Sequence, residues 1–293
     1  MEGKIIKAIA GFYYIHTGAC GIYACRARGI FRKDGRKPLV GDNVVFEVLS
    51  EEKKEGNLTD ILPRKNMLIR PAAANLDQAL VIFALREPDP NLNLLDRFLI
   101  YMGTCQIPAV IYFNKDDLDR SGTAERYRGI YEAAGYRVLT GSVRAGSAEP
   151  VEEVLSGKTT VLAGPSGVGK SSLTNLLHRE DRMEVGELSE RIKRGKQTTR
   201  HTELFMLHEN TYLLDTPGFT SLSLPGLPAA QVRDYFPEFE GPSGECRFAG
   251  CLHIQEKEQI CGVKRALSEG KISAERYENY LQIYEEQKKA ERR

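Results

Sequence analysis

The 293-residue chain has no apolar run approaching the roughly 18 residues that a membrane-spanning helix requires; its longest apolar stretches lie near Ala79–Leu85 and Pro108–Phe113. Its beginning, Met-Glu-Gly-Lys-Ile-Ile, has no apolar segment followed by small residues, so no secretory leader is read there and the cytosol is the expected compartment. An excess of one charge is also lacking. The 41 basic residues face 40 acidic ones, which argues against a globally basic nucleic-acid coat. Internal repeats and low-complexity tracts are absent, so a solenoid or linker-like chain is excluded. With 41% hydrophobic residues the chain can bury cores, and its length fits two or three domains.

The near-neutral total conceals an uneven distribution. Residues 1–70 carry 13 Lys or Arg against 8 Asp or Glu, while the other 223 residues carry 28 against 32. The positive residues crowd at Arg26, Arg28, Arg32, Lys33, Arg36 and Lys37, with Arg64, Lys65 and Arg70 beyond. They form either a solvated basic face or a surface for RNA phosphates. In the same stretch Ile5–Ile15, Gly21–Arg28, Asn43–Leu49 and Asn57–Leu62 read as strands, broken by Gly18, Asp34-Gly35, Gly41-Asp42 and Gly56-Asn57. That spacing predicts a small antiparallel barrel of the OB type, an architecture that does not by itself establish binding.

From Pro71 onward apolar runs alternate with amphipathic stretches. Leu76–Leu85 and Ala109–Phe113 read as buried parallel strands, with helical spacing in Asn93–Met102 between them. Val138–Thr140, Thr159–Leu162 and Thr211–Leu214 continue the pattern, which predicts a doubly wound α/β domain. Past Leu227 the composition turns to Pro, Gly, Cys and aromatics, then to a charged helix from Ser273 to about Ala290. The expected domains are 1–70, 71–228 and 229–293.

Gly164-Pro165-Ser166-Gly167-Val168-Gly169-Lys170-Ser171 fits G-x-x-x-x-G-K-[ST] between a predicted strand and a predicted helix that opens at Ser172. Such a loop turns backbone N–H groups and a helix N-terminus toward phosphates, Lys170 reaches the β and γ oxygens, and Ser171 is the candidate Mg²⁺ ligand. Asp215-Thr216-Pro217-Gly218 ends a strand, placing a carboxylate where it orients the Mg²⁺ shell and the Gly218 amide where it senses a γ-phosphate. Asn114-Lys115-Asp116-Asp117 supplies N-K-x-D: a buried Asp117 carboxylate accepts from guanine N1–H and the 2-amino group, which adenine lacks. Lys115 covers the base, and Gly141-Ser142-Val143 offers a backbone N–H to guanine O6. Together they predict a GTPase. The base-reading motifs precede the phosphate loop, the reverse of the usual order, and a circular permutation accounts for this.

Cys246-x4-Cys251-x-His253-x7-Cys261 gathers three thiols and an imidazole within 16 residues, enough for a tetrahedral zinc site, although the spacing is not that of a common finger. Cys20, Cys25 and Cys105 read as small buried residues.

The chain thus resembles the circularly permuted, ribosome small-subunit-dependent GTPases of the RsgA or YjeQ family. The resemblance spans essentially the whole length. It includes Gly41-Asp42-x-Val44, Pro63-Arg64-Lys65-Asn66 with Arg70-Pro71, Gly164–Ser171, Gly186-Glu187-Leu188-Ser189, Arg194-Gly195-Lys196-Gln197-Thr198-Thr199 and Cys246-Arg247-Phe248. It implies an OB barrel, a permuted GTPase core, a C-terminal zinc domain and a role in late maturation of the small ribosomal subunit; the protein is expected to bind that subunit's rRNA and to be a monomer. It also implies that Thr199, with Thr198 as the second choice, senses Mg²⁺. The family pattern usually has His where this chain has Gln197, which positions water but cannot take a proton near neutral pH. Thr220 occupies the place of the Ras-type glutamine, so intrinsic hydrolysis is expected to be slow and partner-stimulated. The rival reading is a nucleotide-gated rRNA-binding protein with negligible hydrolysis of its own.

Overall fold

The structure is a computed structural model and describes residues 1–27, 31, 36–146, 148–181, 202–208, 210–215 and 222–292. Its strands are β1 (Glu2–Ile9), β2 (Phe12–His16), β3 (Ile22–Ala27), β4 (Asn43–Ser50), β5 (Glu55–Ile61), β6 (Met67–Leu68), β7 (Ala73–Ala74), β8 (Gln78–Ala84), β9 (Ala109–Asn114), β10 (Arg137–Gly141), β11 (Thr159–Ala163), β12 (Leu204–His208) and β13 (Thr211–Leu214). The longer helices are α1 (Leu92–Thr104), α2 (Thr123–Ala133), α3 (Glu149–Leu155), α4 (Lys170–Asp181), α5 (Gly262–Ser268) and α6 (Ala274–Ala290). Two compact units emerge: one comprises Met1–Ala79, Ala148–Ala163 and Lys170–Pro217, the other Leu80–Ser147, Gly164–Gly169 and Gly218–Arg293.

In the first unit β1 to β5 close into a barrel of order β1-β2-β3-β5-β4, antiparallel except for the β3–β5 pair. Alternation drives closure: Ile5, Ile15, Tyr23, Cys25, Val44, Phe46 and Leu58 are buried inside, each side chain worth about 1.5–3 kcal/mol if it is large and aliphatic or aromatic. The expected single strand Ile5–Ile15 is two, because Ala10-Gly11 turns the chain and pairs Ile9 with Phe12. Cys25 is a buried core residue as expected, and burial pushes its thiol up to about 11. Cys20 is not: it is exposed on a one-turn 3-10 helix, Gly18–Cys20, while Cys105 is half-buried after α1. Some of the basic residues serve the fold. Arg64 grips the fully buried Asp42 with Nε and Nη2 at 2.6 and 2.8 Å, and Lys65 pairs with Asp77.

Of the α/β strands, β10-β9-β8 are neighbours in that order in the second unit and β11-β13-β12 in the first. Strand β8 is buried at every position, the mark of a central strand covered on both faces. The ladders β9–β10 and β11–β13 are parallel, and β12 joins antiparallel to β13. Helix α1 is started by Asn91, whose side chain accepts from Leu94 N at 3.0 Å, and it buries Leu95, Phe98, Leu99, Ile100 and Met102.

The C-terminal part of the second unit packs Leu224, Val232, Phe236, Phe239, Tyr277, Tyr280 and Ile283 into one core that includes Ile100 of α1. At its edge lies a buried polar cluster. Arg276, 2% exposed, donates to Asp96 of α1 and, through Nε and Nη2, to Glu238 at 2.7 and 2.8 Å. Asp96 also accepts from Tyr131 Oη at 2.9 Å and Asn279 Nδ2 at 2.7 Å. Burial alone would lower the Arg276 pKa, but Asp96 and Glu238 outweigh it and hold the guanidinium well above its ordinary value.

Candidate functional site

Three of the sequence-predicted loops lie wholly within the described residues, and the second unit brings them together. Asn114 ends β9 and is 2% exposed. Its Nδ2 donates to Val168 O of the phosphate loop at 2.8 Å, and its Oδ1 accepts from Val143 N at 3.0 Å. One side-chain amide therefore fastens the Gly164–Gly169 loop and the Ser142–Val143 turn to the strand that presents Asp117. The glycine spacing follows from the same packing. A Cβ on Gly169 would lie 2.3 Å from Asn114 Nδ2, and one on Gly164 would lie 2.2 Å from Ile82 O of β8.

Lys115 adopts a left-handed conformation, φ 63°, and its ammonium donates to Glu87 O. Asp117 follows on the 3-10 turn Asp116–Leu118 and is exposed, its carboxylate open to a ligand. Ser142 is buried and begins the turn whose Val143 N meets Asn114.

Within the loop Pro165 and Gly169 are half-buried, Ser166 and Gly167 are exposed and Val168 is buried. Helix α4 then begins at Lys170, with Ser171 and Ser172 exposed in its first turn, where helix N–H groups lack intrahelical acceptors. Burial lowers the Lys170 pKa, and the charge of the Asp215 carboxylate raises it in part. The Ser171 hydroxyl at a helix start and the Asp215 carboxylate after a strand are oxygen donors, the ligand type that Mg²⁺ takes.

Several expected residues lie outside the described residues: Arg28, Arg32 and Lys33 of the basic cluster, Gln197, Thr198, Thr199 and His201, and Gly218, Phe219 and Thr220. Of the remaining basic candidates, Arg26 stacks over Phe12 at 4.7 Å, Arg36 lies 3.6 Å from Asp60, and Lys37 is exposed.

The metal candidates converge. Cys246, Cys251, His253 and Cys261 offer ligand atoms that all lie within 4.8 Å of one another. His253 Nδ1 is 3.6 Å from Cys246 Sγ and 3.4 Å from Cys261 Sγ. A tetrahedral ion with ordinary zinc–sulfur and zinc–nitrogen bonds sets that edge at about 3.6 Å, so the donor set fits one metal ion. Nε2 of His253 is 3.2 Å from Ser243 Oγ, which fixes the ring with Nδ1 turned to the thiols. Burial, helped by Arg233, lowers the His253 pKa to about 4 and keeps the imidazole in its neutral, ligating form. Burial also pushes the Cys251 thiol up to about 12.

Spacing did not reveal the supports of this loop. Tyr277 and Tyr280 of α6 donate to the carbonyls of His253 and Leu252, each at 2.5 Å, and Arg233 donates to Cys251 O. The signal was the run of tyrosines along one face of the C-terminal helix, which reads equally as ordinary core.

Comparison with known proteins agrees with this arrangement. Residues 2–58 match the RsgA N-terminal domain and residues 61–225 the RsgA GTPase domain. The small ribosomal subunit biogenesis GTPase RsgA of Agathobacter rectalis is 51% identical over 98% of this chain and 98% of its own. Its counterpart in Alkaliphilus metalliredigens is 48% identical over 99% of each. Among solved structures, YloQ, a circularly permuted GTPase, superposes with a TM-score of 0.83 at 37% identity, covering 99% of this chain and 95% of that one. YjeQ from Thermotoga maritima gives 0.83 at 30% identity over 98% of both. A closed barrel, a phosphate loop that follows its base-reading loops in the chain, a Cys₃His cluster and near full-length identity to these relatives place the chain in the RsgA family of GTPases.

Proposed function

We propose that this GTPase acts in late assembly of the small ribosomal subunit, binding it with GTP and leaving it after hydrolysis. The observation that carries the nucleotide half is the Asn114 junction, which gathers the phosphate loop and two base-reading loops around one amide. The ribosomal half is supported by the relatives, which are named for biogenesis of that subunit. On this reading Asn114, Lys115, Asp117, Ser142 and Val143 hold guanine, while Gly164–Ser172, Asp215 and Gly218 attend the phosphates. Ser171 and Thr199 would hold the Mg²⁺ that comes with GTP, which would supply charge neutralisation at the phosphates. Lys170 supplies fixed positive charge there and Gln197 orients water. Residues 1–70 form the rRNA-binding domain with Arg26, Arg28, Arg32, Lys33, Arg36 and Lys37 on phosphates. Residues 71–228 form the GTPase domain, and 229–293 a domain closed by one structural zinc. The protein works as a cytoplasmic monomer.

Sedimentation with purified small subunits tests the cycle. The chain is expected to pellet with subunits in the presence of a non-hydrolysable GTP analogue and to stay in the supernatant with GDP; equal pelleting in both states refutes the proposal. Metal analysis tests the ion: one zinc per chain is expected. Cys261→Ser is expected to lose that zinc and the native tyrosine circular dichroism of the core around Phe239, Tyr277 and Tyr280.

A further inference from the structure

Strand β1 of the barrel makes contacts beyond its own sheet. Lys7 forms an antiparallel bridge with Glu203, the residue before β12. Its Nζ lies 2.9 Å from Oε1 and 2.8 Å from Oε2 of that glutamate, with both side chains more than three-quarters buried (24% and 22% exposed). A second contact reaches β13. Nδ1 of the buried His16, on β2, is 2.7 Å from Tyr212 Oη, the two rings meet edge to face at 5.8 Å, and the Lys4 ammonium lies 5.6 Å from the tyrosine centroid.

These contacts grip an unusual piece of the sheet. Strands β12 and β13 form a hairpin in which Met206 opposes Tyr212 and Leu204 opposes Leu214. Tyr212 stands three residues before Asp215, and on its other side pairs with Thr159 of β11, the strand that leads into Gly164. In sequence the hairpin is bounded by Thr199 on one side and Asp215–Gly218 on the other, the two stretches expected to respond to a γ-phosphate.

Neither element needs the clasp for its own backbone. The barrel closes through its own ladders and the hairpin through its pairing with β11. A buried hydroxyl, imidazole and ion pair nevertheless lose free energy if separated without new partners, so the four side chains favour one register of barrel on hairpin. The clasp thereby joins the barrel to β13, the strand that leads directly into Asp215.

We propose that Glu203 and Tyr212 are positioning residues through which the barrel, on engaging the small subunit, sets the hairpin that carries Asp215 and so controls hydrolysis. The proposal rests on the small-subunit reading above. Lys7, His16, Glu203 and Tyr212 have no part in the nucleotide or metal sites.

The test uses Lys7→Glu, Glu203→Lys, the double reversal and Tyr212→Phe in the full chain, with GTP turnover measured with and without purified small subunits. Each single variant is expected to keep subunit-free turnover within about twofold and to lose about tenfold in stimulation. The double reversal is expected to recover most of the stimulation, which a merely structural role would not produce. Tyr212→Phe keeps the ring and serves if the charge reversals fail to fold. Single variants stimulated as fully as wild type overturn the coupling. Hydrogen exchange of residues 4–16, with GDP and with a non-hydrolysable analogue, gives a readout that needs no subunits. If wild type is not stimulated, the small-subunit reading falls, and this exchange alone judges the coupling. Protection that depends on nucleotide in wild type and not in Tyr212→Phe supports it, and identical protection in both states overturns it.

Discussion

Asp96→Ala is expected to cost about 3–5 kcal/mol of stability, toward the lower figure, measured as a fall in the denaturant midpoint at unchanged slope. Asp96 is fully buried, and so is the guanidinium of Arg276 that donates to it. Arg276 cannot shed its proton, so removing the carboxylate leaves a fixed charge in an apolar surround of Phe236, Tyr131 and Tyr136, whose rings lie 4.7, 5.2 and 5.6 Å away. The Tyr131 hydroxyl and the Asn279 amide lose their acceptor at the same time. Glu238 keeps its two bonds to Arg276 and limits the loss. Asp96→Asn retains part of the hydrogen bonding and should fall between wild type and Asp96→Ala. An alanine variant within 1 kcal/mol of wild type would mean that the charge is relieved by water or by rearrangement.

Asp117→Ala is expected to weaken GTP binding by about 10²–10⁴-fold while leaving weak ATP binding unchanged. Two hydrogen bonds to an ionised carboxylate are worth about 1.5–3 kcal/mol each, and each factor of ten corresponds to about 1.4 kcal/mol. The exposed Asp117 presents its carboxylate on a turn whose base is held by Asn114, so the variant removes the recognising group without loosening the phosphate loop. Competition of GTP and ATP against a fluorescent guanine nucleotide measures both affinities. A variant that still prefers GTP by more than about tenfold would assign base recognition to other groups.

Both sites were legible because their chemistry is written locally. The phosphate loop needs glycines where backbone meets Ile82 O and Asn114 Nδ2, and those needs fall within six consecutive residues. The Cys₃His set was legible for the same reason, its four donors lying on 16 residues of chain. The barrel was legible from turn residues and alternation, except at Ala10-Gly11, where a two-residue turn inside a continuous apolar pattern left no gap to read. Strand β12 is not legible in the sequence because Leu204–Leu207 is a short continuous apolar run with no alternation to mark a strand.

The sequence by itself determined most of the strands and longer helices, the permuted order of the nucleotide motifs and the metal donors, since each depends on residues a few positions apart. Only the tertiary structure decided their partners. Asp96 and Arg276 are separated by 180 residues, as are His16 and Tyr212 by 196, and no local pattern distinguishes such residues from solvated charge or ordinary core. Packing selects these pairs because a buried polar group must find a partner wherever the fold brings one near.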